Sequence, residues 1–129
     1  MKVFLATSYT TNIDAVGNVH PAFRDKVEAI IKRYEVAGRE VECDAKEAHW
    51  RITPDIDPAR AIQLDLEHIK QCDELAALID QTVSAGVQLE IGFALALRKR
   101  ITLITEKGVP LNWTNQTLTR FPLVSHLVI

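Results

Sequence analysis

The stretch from Gln81 to Leu97, QTVSAGVQLEIGFALAL, contains a single charge, Glu90. A carboxylate in an otherwise apolar helix is costly to bury unless something pairs or uses it. Before it lies Ser84-Ala85-Gly86, a small-residue turn that lets a ligand approach the backbone closely. Such a turn also opens a helix and places Glu90 in its first turn or so. There the helix dipole favours the anion and offsets the desolvation that would keep it protonated. An ionised, partly desolvated carboxylate beside such a loop is a candidate nucleophile. The plainer alternative is a structural ion pair, or a carboxylate that reaches solvent at the helix edge.

Other groups could serve that carboxylate. Asp65 sits on the margin of the apolar stripe of an expected helix from Pro58 to Gln71, beside Ile69 and Cys72. There it suits a general base or a sugar-hydroxyl partner; otherwise it is a solvated helix charge near Lys70 or Arg60. Ser84 at a helix start, with free backbone N–H groups, suits a phosphate or a sugar hydroxyl, or is a plain N-cap. Ser8, Tyr9 and Thr10 belong to a hydroxyl-rich loop, Thr7–Asn12, that lacks a GxGxxG fingerprint. Tyr9 is placed to stack on a planar base, or is an ordinary loop aromatic. Glu47, His49 and Trp50 cluster in a second loop. They suit an aromatic heterocycle with exocyclic amines, or the Trp simply folds the loop onto the domain. Asn112 and Trp113 follow Pro110 and say little by themselves.

The elements that must position these groups alternate. Val3–Ala6 reads as a buried strand. Pro21 opens a helix with Phe23, Val27, Ile30, Ile31 and Tyr34 on one face, stopped at Gly38. Glu40–Cys43 reads as a strand and Lys46–Asp57 as a long loop. Pro58 starts a helix with Ala59, Ile62, Leu66 and Ile69 as its apolar stripe. Leu75–Ile79 is a strand, followed by the Glu90 helix and the strand Ile101–Thr105. A turn at Gly108-Val109-Pro110 leads through a polar segment to a last strand, Leu123–Ile129. Short, continuously apolar strands alternating with helices indicate a sheet covered on both faces. The expected fold is α/β, a flavodoxin-like doubly wound five-stranded mainly parallel sheet. Ligands of such sheets bind beyond the strands' carboxyl ends at the switch in strand order. The loops Thr7–His20, Asp44–Asp57, Asp80–Gly86 and Glu106–Asn112 lie there.

The bulk numbers narrow the function classes. A chain of 129 residues, 47% hydrophobic and 25% charged, is expected to form one domain over 1–129 with a sizeable core. Its net charge of -2 gives no footprint for nucleic acid. Neither a membrane span nor a signal peptide is expected. Cys43 and Cys72 read as buried free thiols of a reducing, cytoplasmic setting. The histidines at 20, 49, 68 and 126 show no metal-ligand spacing.

Taken together, these residues resemble the nucleoside 2-deoxyribosyltransferase superfamily over roughly Lys2 to Asn115. The strongest motif is SAGVQLEIGFALALRKRITLI, from Ser84 to Ile104. The resemblance implies a nucleophilic glutamate at Glu90, in Glu90-Ile91-Gly92-Phe93-Ala94. A second motif, Gln63-Leu64-Asp65-Leu66 with Gln71-Cys72-Asp73, implies a catalytic aspartate at Asp65. Val3–Ser8 is similar to the family's opening strand and sugar-site loop. Transferases of the family carry an aspartate six residues before the glutamate, for the sugar 5′-hydroxyl. The nucleoside 5′-monophosphate N-glycosidases carry serine, as here at Ser84, which suits phosphate.

The run Asp44–Trp50 resembles the second loop of CMP and hydroxymethyl-CMP hydrolases, and Tyr9 lies at their base-side aromatic. Thr10 departs from the arginine those hydrolases have; Arg24, Arg51 and Arg60 are the candidates to compensate. Leu111-Asn112 resembles the transferases, whose asparagine reaches into a neighbouring subunit's site. A homodimer or larger assembly with shared sites is thereby implied. The expected substrate is a small nucleotide or nucleoside, bound by Ser8, Tyr9, Thr10, Glu47, Trp50, Ser84, Gly86 and Asn112. No metal or organic cofactor is implied. The resemblance leaves a transferase and an NAD-cleaving glycohydrolase as alternatives, with a non-catalytic nucleotide-binding module beside them.

Overall fold

Five short strands account for both hydrophobic cores. The computed structural model describes residues 1–81 and 84–129. Residues 82 and 83, part of the loop expected over Asp80–Gly86, lie outside the described residues. The strands are β1 (Lys2–Ala6), β2 (Glu40–Glu42), β3 (Glu74–Leu78), β4 (Arg100–Thr105) and β5 (Val124–Val128). They form one sheet in the order β2-β1-β3-β4-β5, with every pair parallel. This is the doubly wound arrangement expected from the sequence.

Alternation along each strand sends neighbouring side chains to opposite faces. Val3, Leu5, Ala76, Leu78 and Ile104 share one core with helix α1 (Pro21–Val36) and with Trp50. Phe4, Ala6, Leu75, Ala77, Ile101 and Leu103 share the other with Ile69 of α3 (Pro58–Gln71) and Val87, Ile91 and Ala94 of α4 (Ala85–Ala96). The α1 residues Phe23, Val27, Ile30, Ile31 and Tyr34 are all buried, at the expected helical spacing. Each such aliphatic or phenyl side chain contributes about 1.5–3 kcal/mol. Cys43 and Cys72 are buried free thiols.

Three local expectations change. The segment expected to be loop opens on a one-turn helix, α2 (Asp44–Glu47). The polar stretch after Pro110 contains α5 (Trp113–Leu118), whose N-cap Asn112 accepts from the Asn115 N–H at 2.8 Å. Asparagine, threonine and glutamine show no apolar periodicity, so the cap rather than the pattern marks this helix. On α3 only Ile69 of the predicted stripe is buried; Ile62 and Leu66 instead line a cavity.

The two loops above the sheet are joined. Val19 N–H donates to Trp50 O at 2.9 Å and Ile52 N–H to Gly17 O at 2.8 Å, with an antiparallel bridge between Asn18 and Arg51. Gly17 has φ +87°, and a Cβ there would lie 2.3 Å from Ile52 O. His49 and Trp50 also have positive φ, 54° and 59°, a conformation that non-glycine residues adopt where surrounding structure imposes it.

Candidate active site

The strand order reverses between β1 and β3, and a cavity of about 430 Å³ opens beyond their carboxyl ends. Leu5, Ala6 and Thr7 supply its floor; Tyr9 and Thr10 come from the first loop and Ile52, Thr53 and Ile56 from the second. Helix α3 adds Ile62, Asp65 and Leu66, and α4 adds Ser84, Gly86, Val87, Leu89 and Glu90. The site therefore lies where a doubly wound sheet places ligands.

Glu90 and Asp65 meet in this cavity. Each carboxyl is pushed up to about 8, for Glu90 by burial and then by the charge and hydrogen bond of Asp65. For Asp65 the causes are burial, then the hydrogen bond and charge of Asp44. The sequence expectation of an ionised Glu90 favoured by the helix dipole is thereby corrected. With Ser84 as N-cap, Glu90 stands past the first helical turn, where the dipole fades. Crowded carboxyls then decide the matter: two that share a site cannot both ionise easily.

Asp44 is the functional neighbour that sequence reasoning passed over. It lines the same cavity, and a polar atom from each of Asp44, Asp65 and His68 lies within 4.8 Å of the others. Its signal was position, an acid at the carboxyl end of β2. This is the one cluster of metal-ligand residue types among the described residues. Burial and the neighbouring Asp44 raise the Asp65 carboxyl. Tyr9 is half-buried, and burial together with the charges of Asp44 and Asp65 raises its phenol to about 12. Its hydroxyl therefore keeps its proton through the neutral range.

Ser84 accepts from the Val87 N–H at 3.3 Å as N-cap of α4. A Cβ added at Gly86 would meet only Ser84 Oγ, at 3.8 Å, so the protein itself leaves room for a side chain there. Ser84 and Val87 also line a second cavity of about 300 Å³, with Ser8, Asp80, Gln88 and Asn112. Ser8 is buried and donates to Asp80 at 2.5 Å. Ser8 and Asn112 thus face this second cavity, while Tyr9, Thr10, Asp65, Ser84, Gly86 and Glu90 face the first.

Two expected residues line neither cavity. Glu47 is exposed at the end of α2. Trp50 is buried in the core beneath Arg24, whose guanidinium sits 5.2 Å from the ring centroid. Its indole folds the loop back onto the domain. Arg24, Arg51 and Arg60 are also absent from both linings.

The sequence model for nucleoside 2-deoxyribosyltransferases matches residues 11–122. The chain belongs to the nucleoside 2-deoxyribosyltransferase family. It is counted with that family's enzymes, whose substrates are nucleosides or nucleotides. Among solved structures, this family member is similar to a Clostridium botulinum CMP N-glycosidase, BcmB, with TM-score 0.71 and 24% identity over 100% of this chain and 89% of that one. It is also similar to BlsM, with TM-score 0.78 and 23% identity over 99% and 80%. A third is the 2-deoxyribosyltransferase of Bacillus psychrosaccharolyticus, with TM-score 0.63 and 20% identity over 88% and 79%. These likenesses describe the fold. No curated protein sequence matches the chain. Among the described residues no helix is long and apolar enough to cross a membrane.

Proposed function

We propose that this member of the family hydrolyses the N-glycosidic bond of a pyrimidine nucleoside 5′-monophosphate, through a covalent glycosyl-Glu90 intermediate. The observation that carries the reading is the proton-sharing pair of Glu90 and Asp65 in one cavity at the switch point. In the one-proton form Glu90, as carboxylate, attacks the anomeric carbon while the C–N bond breaks. Asp65 gives its proton to the departing base. Water then enters, Asp65 takes its proton, and the ester to Glu90 breaks, releasing sugar 5-phosphate and restoring both carboxyls. Tyr9, in the cavity lining, walls the base side.

The phosphate end rests on Ser84, an uncharged N-cap, and on the first N–H groups of α4, which favour an anion. The pyrimidine rests on the CMP named for one structural neighbour and on the similarity of the Asp44–Trp50 loop. Asn112 contributes across a subunit boundary in a homodimer or larger assembly. Leu64 on α3 and Leu97 at the end of α4 are exposed apolar residues outside the cavity linings, which supports such an interface. The buried thiols suit a cytoplasmic setting.

A second reading, base exchange between neutral deoxynucleosides, is favoured by one specific observation. No Lys, Arg or His lines either cavity among the described residues, and Asp80 lines the one beside Ser84. Chromatography of base release from nucleosides, their 5′-monophosphates and NAD, with and without an acceptor base, tests both. Release from monophosphates alone, lost in Glu90→Gln, supports the hydrolase. Transfer to the acceptor from nucleosides replaces it with the transferase. Ligand-induced stabilisation without any product leaves a binding module.

A further inference from the structure

The α1 side of the sheet changes character along its length. Alternation puts every second residue of β3, β4 and β5 on that face. At the carboxyl ends the register aligns Leu78, Ile104 and Leu127; nearer the amino ends it aligns Thr102 with Ser125, and then Glu74 with Arg100. A groove of about 670 Å³ lies over these polar rows, bounded by Arg33 and Tyr34 of α1, by Arg39 and by Leu123. Its charged lining is three arginines against one glutamate, a formal +2 in a chain whose net charge is -2. Glu74 is buried; it accepts from Arg39 Nη2 and, through Oε1, from the Thr102 hydroxyl at 2.8 Å. Thr102 Oγ1 lies 3.3 Å from Ser125 Oγ. The Arg39 guanidinium sits 5.2 Å from the Tyr34 ring centroid, and its Nε is buried with no acceptor. Arg33 and Arg100 are exposed and make no ion pair or side-chain hydrogen bond among the described residues. Arg100 closes the basic run Arg98-Lys99-Arg100, in which Lys99 is committed to the carbonyls of Lys70 and Cys72, at 2.9 and 2.7 Å. His126, also in the lining, is bonded to Thr105 at 2.8 Å.

We propose that this groove is a second binding site, for a phosphate-bearing small molecule, at the end of the sheet opposite Glu90. An apolar partner laid over the polar rows would strand a carboxylate, a guanidinium and two hydroxyls away from water. A doubly negative oxyanion does the reverse. Guanidinium forks match its oxygens in plane, and charge-assisted hydrogen bonds of that kind are the strong ones. A buried donor without an acceptor, as at Arg39 Nε, marks a guanidinium whose partners are incomplete. A phosphate between Arg33, Arg39 and Arg100 neutralises the charge that Glu74 leaves over. Glu74 and Tyr34 hold Arg39 in place beforehand, so little freedom is lost on binding. The groove exceeds the Glu90 cavity of about 430 Å³, and Leu123 and Leu127 in its lining offer apolar surface to an organic group carried by the phosphate. These residues take no part in the reaction proposed at Glu90, so the site exists whether or not that reaction does.

The test is backbone-amide NMR mapping with calorimetry, using inorganic pyrophosphate and ATP without added metal. The proteins are wild type, Arg33→Gln, Arg100→Gln, the double variant and Arg98→Gln, which removes a charge from the same basic run outside the groove. Both groove side chains are exposed, and an unchanged amide spectrum in the free variants shows the fold intact. Saturable shifts are expected at residues 33–39, 100–102 and 123–127. The double variant should raise Kd by about tenfold or more and each single variant by less, with Arg98→Gln within about twofold of wild type. Glu90→Gln should leave the groove shifts as they are. Tighter binding of ATP than of pyrophosphate assigns the groove to an organic phosphate, and equal binding to free inorganic phosphates. Shifts confined to residues 84–90, no saturable groove shift up to about 10 mM of either probe, or an unchanged Kd in the double variant overturns the proposal. A short single-stranded DNA that displaces both probes at lower concentration also overturns it, in favour of a nucleic-acid backbone.

Discussion

The two cavities that share Ser84 and Val87 treat their polar groups in opposite ways. In the second, the groups satisfy one another. Gln88 and Asn115 exchange two amide hydrogen bonds, at 3.2 and 2.9 Å, Asn112 caps α5, and Ser8 and Asn12 both donate to Asp80. In the first, carboxyls crowd against one another and against burial, and both members of the central pair are held near 8. Complete pairing fixes geometry, whereas unrelieved crowding stores reactivity. One cavity reads as a frame and the other as the site the proposed reaction would use.

The largest break in that contrast comes from Glu90→Gln. Turnover is expected to fall by about 10³-fold or more, as for other catalytic carboxylates and nucleophiles. The same change alters stability with a definite sign. In the unfolded chain Glu90 and Asp65 titrate at their ordinary values of 4.5 and 3.8, and in the folded protein at about 8. Between those values the folded state holds more protons, so stability is greatest on the acid side and falls as pH rises towards about 8. Thermal melts of wild type should show that decline. Glu90→Gln should flatten it and melt higher than wild type at alkaline pH; parallel curves would mean that the carboxyls are not crowded.

Ser84→Asp sharpens the boundary between the cavities. Aspartate caps a helix as well as serine does, so stability should stay within about 0.5 kcal/mol. A negative charge beside a bound phosphate should lower kcat/KM on monophosphates by about tenfold or more, roughly 1.4 kcal/mol, and spare neutral nucleosides. An equal loss on both would detach the phosphate from Ser84. Asn115→Ala attacks the frame instead. It leaves the Gln88 amide unpartnered and should cost roughly 1–3 kcal/mol in denaturant unfolding, with a smaller effect on kcat than on stability. The smallest effect is expected from Gly86→Ala. The added methyl meets no protein atom closer than 3.8 Å. Folding should therefore be unharmed or gain up to about 1 kcal/mol, while KM rises if the substrate packs on that backbone.

The same contrast explains what could be read in the sequence. The sheet was legible because β1, β3 and β4 are runs of apolar residues that only a doubly covered sheet can bury. Glu90 was legible as a lone charge in an apolar stretch, and Asp65 as a carboxylate on a stripe margin. Helix α5 was not, because its stability comes from amide pairing through Asn115, a tertiary fact with no periodic trace. Nor was the upward push on Glu90, since nothing in the chain's order shows that residues 44, 65 and 90 converge. Trp50 could be read as an aromatic but not as a core residue. It is buried in a loop where His49 and Trp50 both have positive φ.

The joined loops carry a consequence for redesign. Tyr9 and Thr10 line the cavity from one loop, Ile52, Thr53 and Ile56 from the other, and the hydrogen bonds between residues 17–19 and 50–52 splice the two together. Because Ile52 O leaves no room for a side chain at Gly17, neither loop tolerates a stranger as its partner. That wall of the cavity therefore depends on the two loops as one unit. A graft that imports the second loop from a relative must bring the first with it.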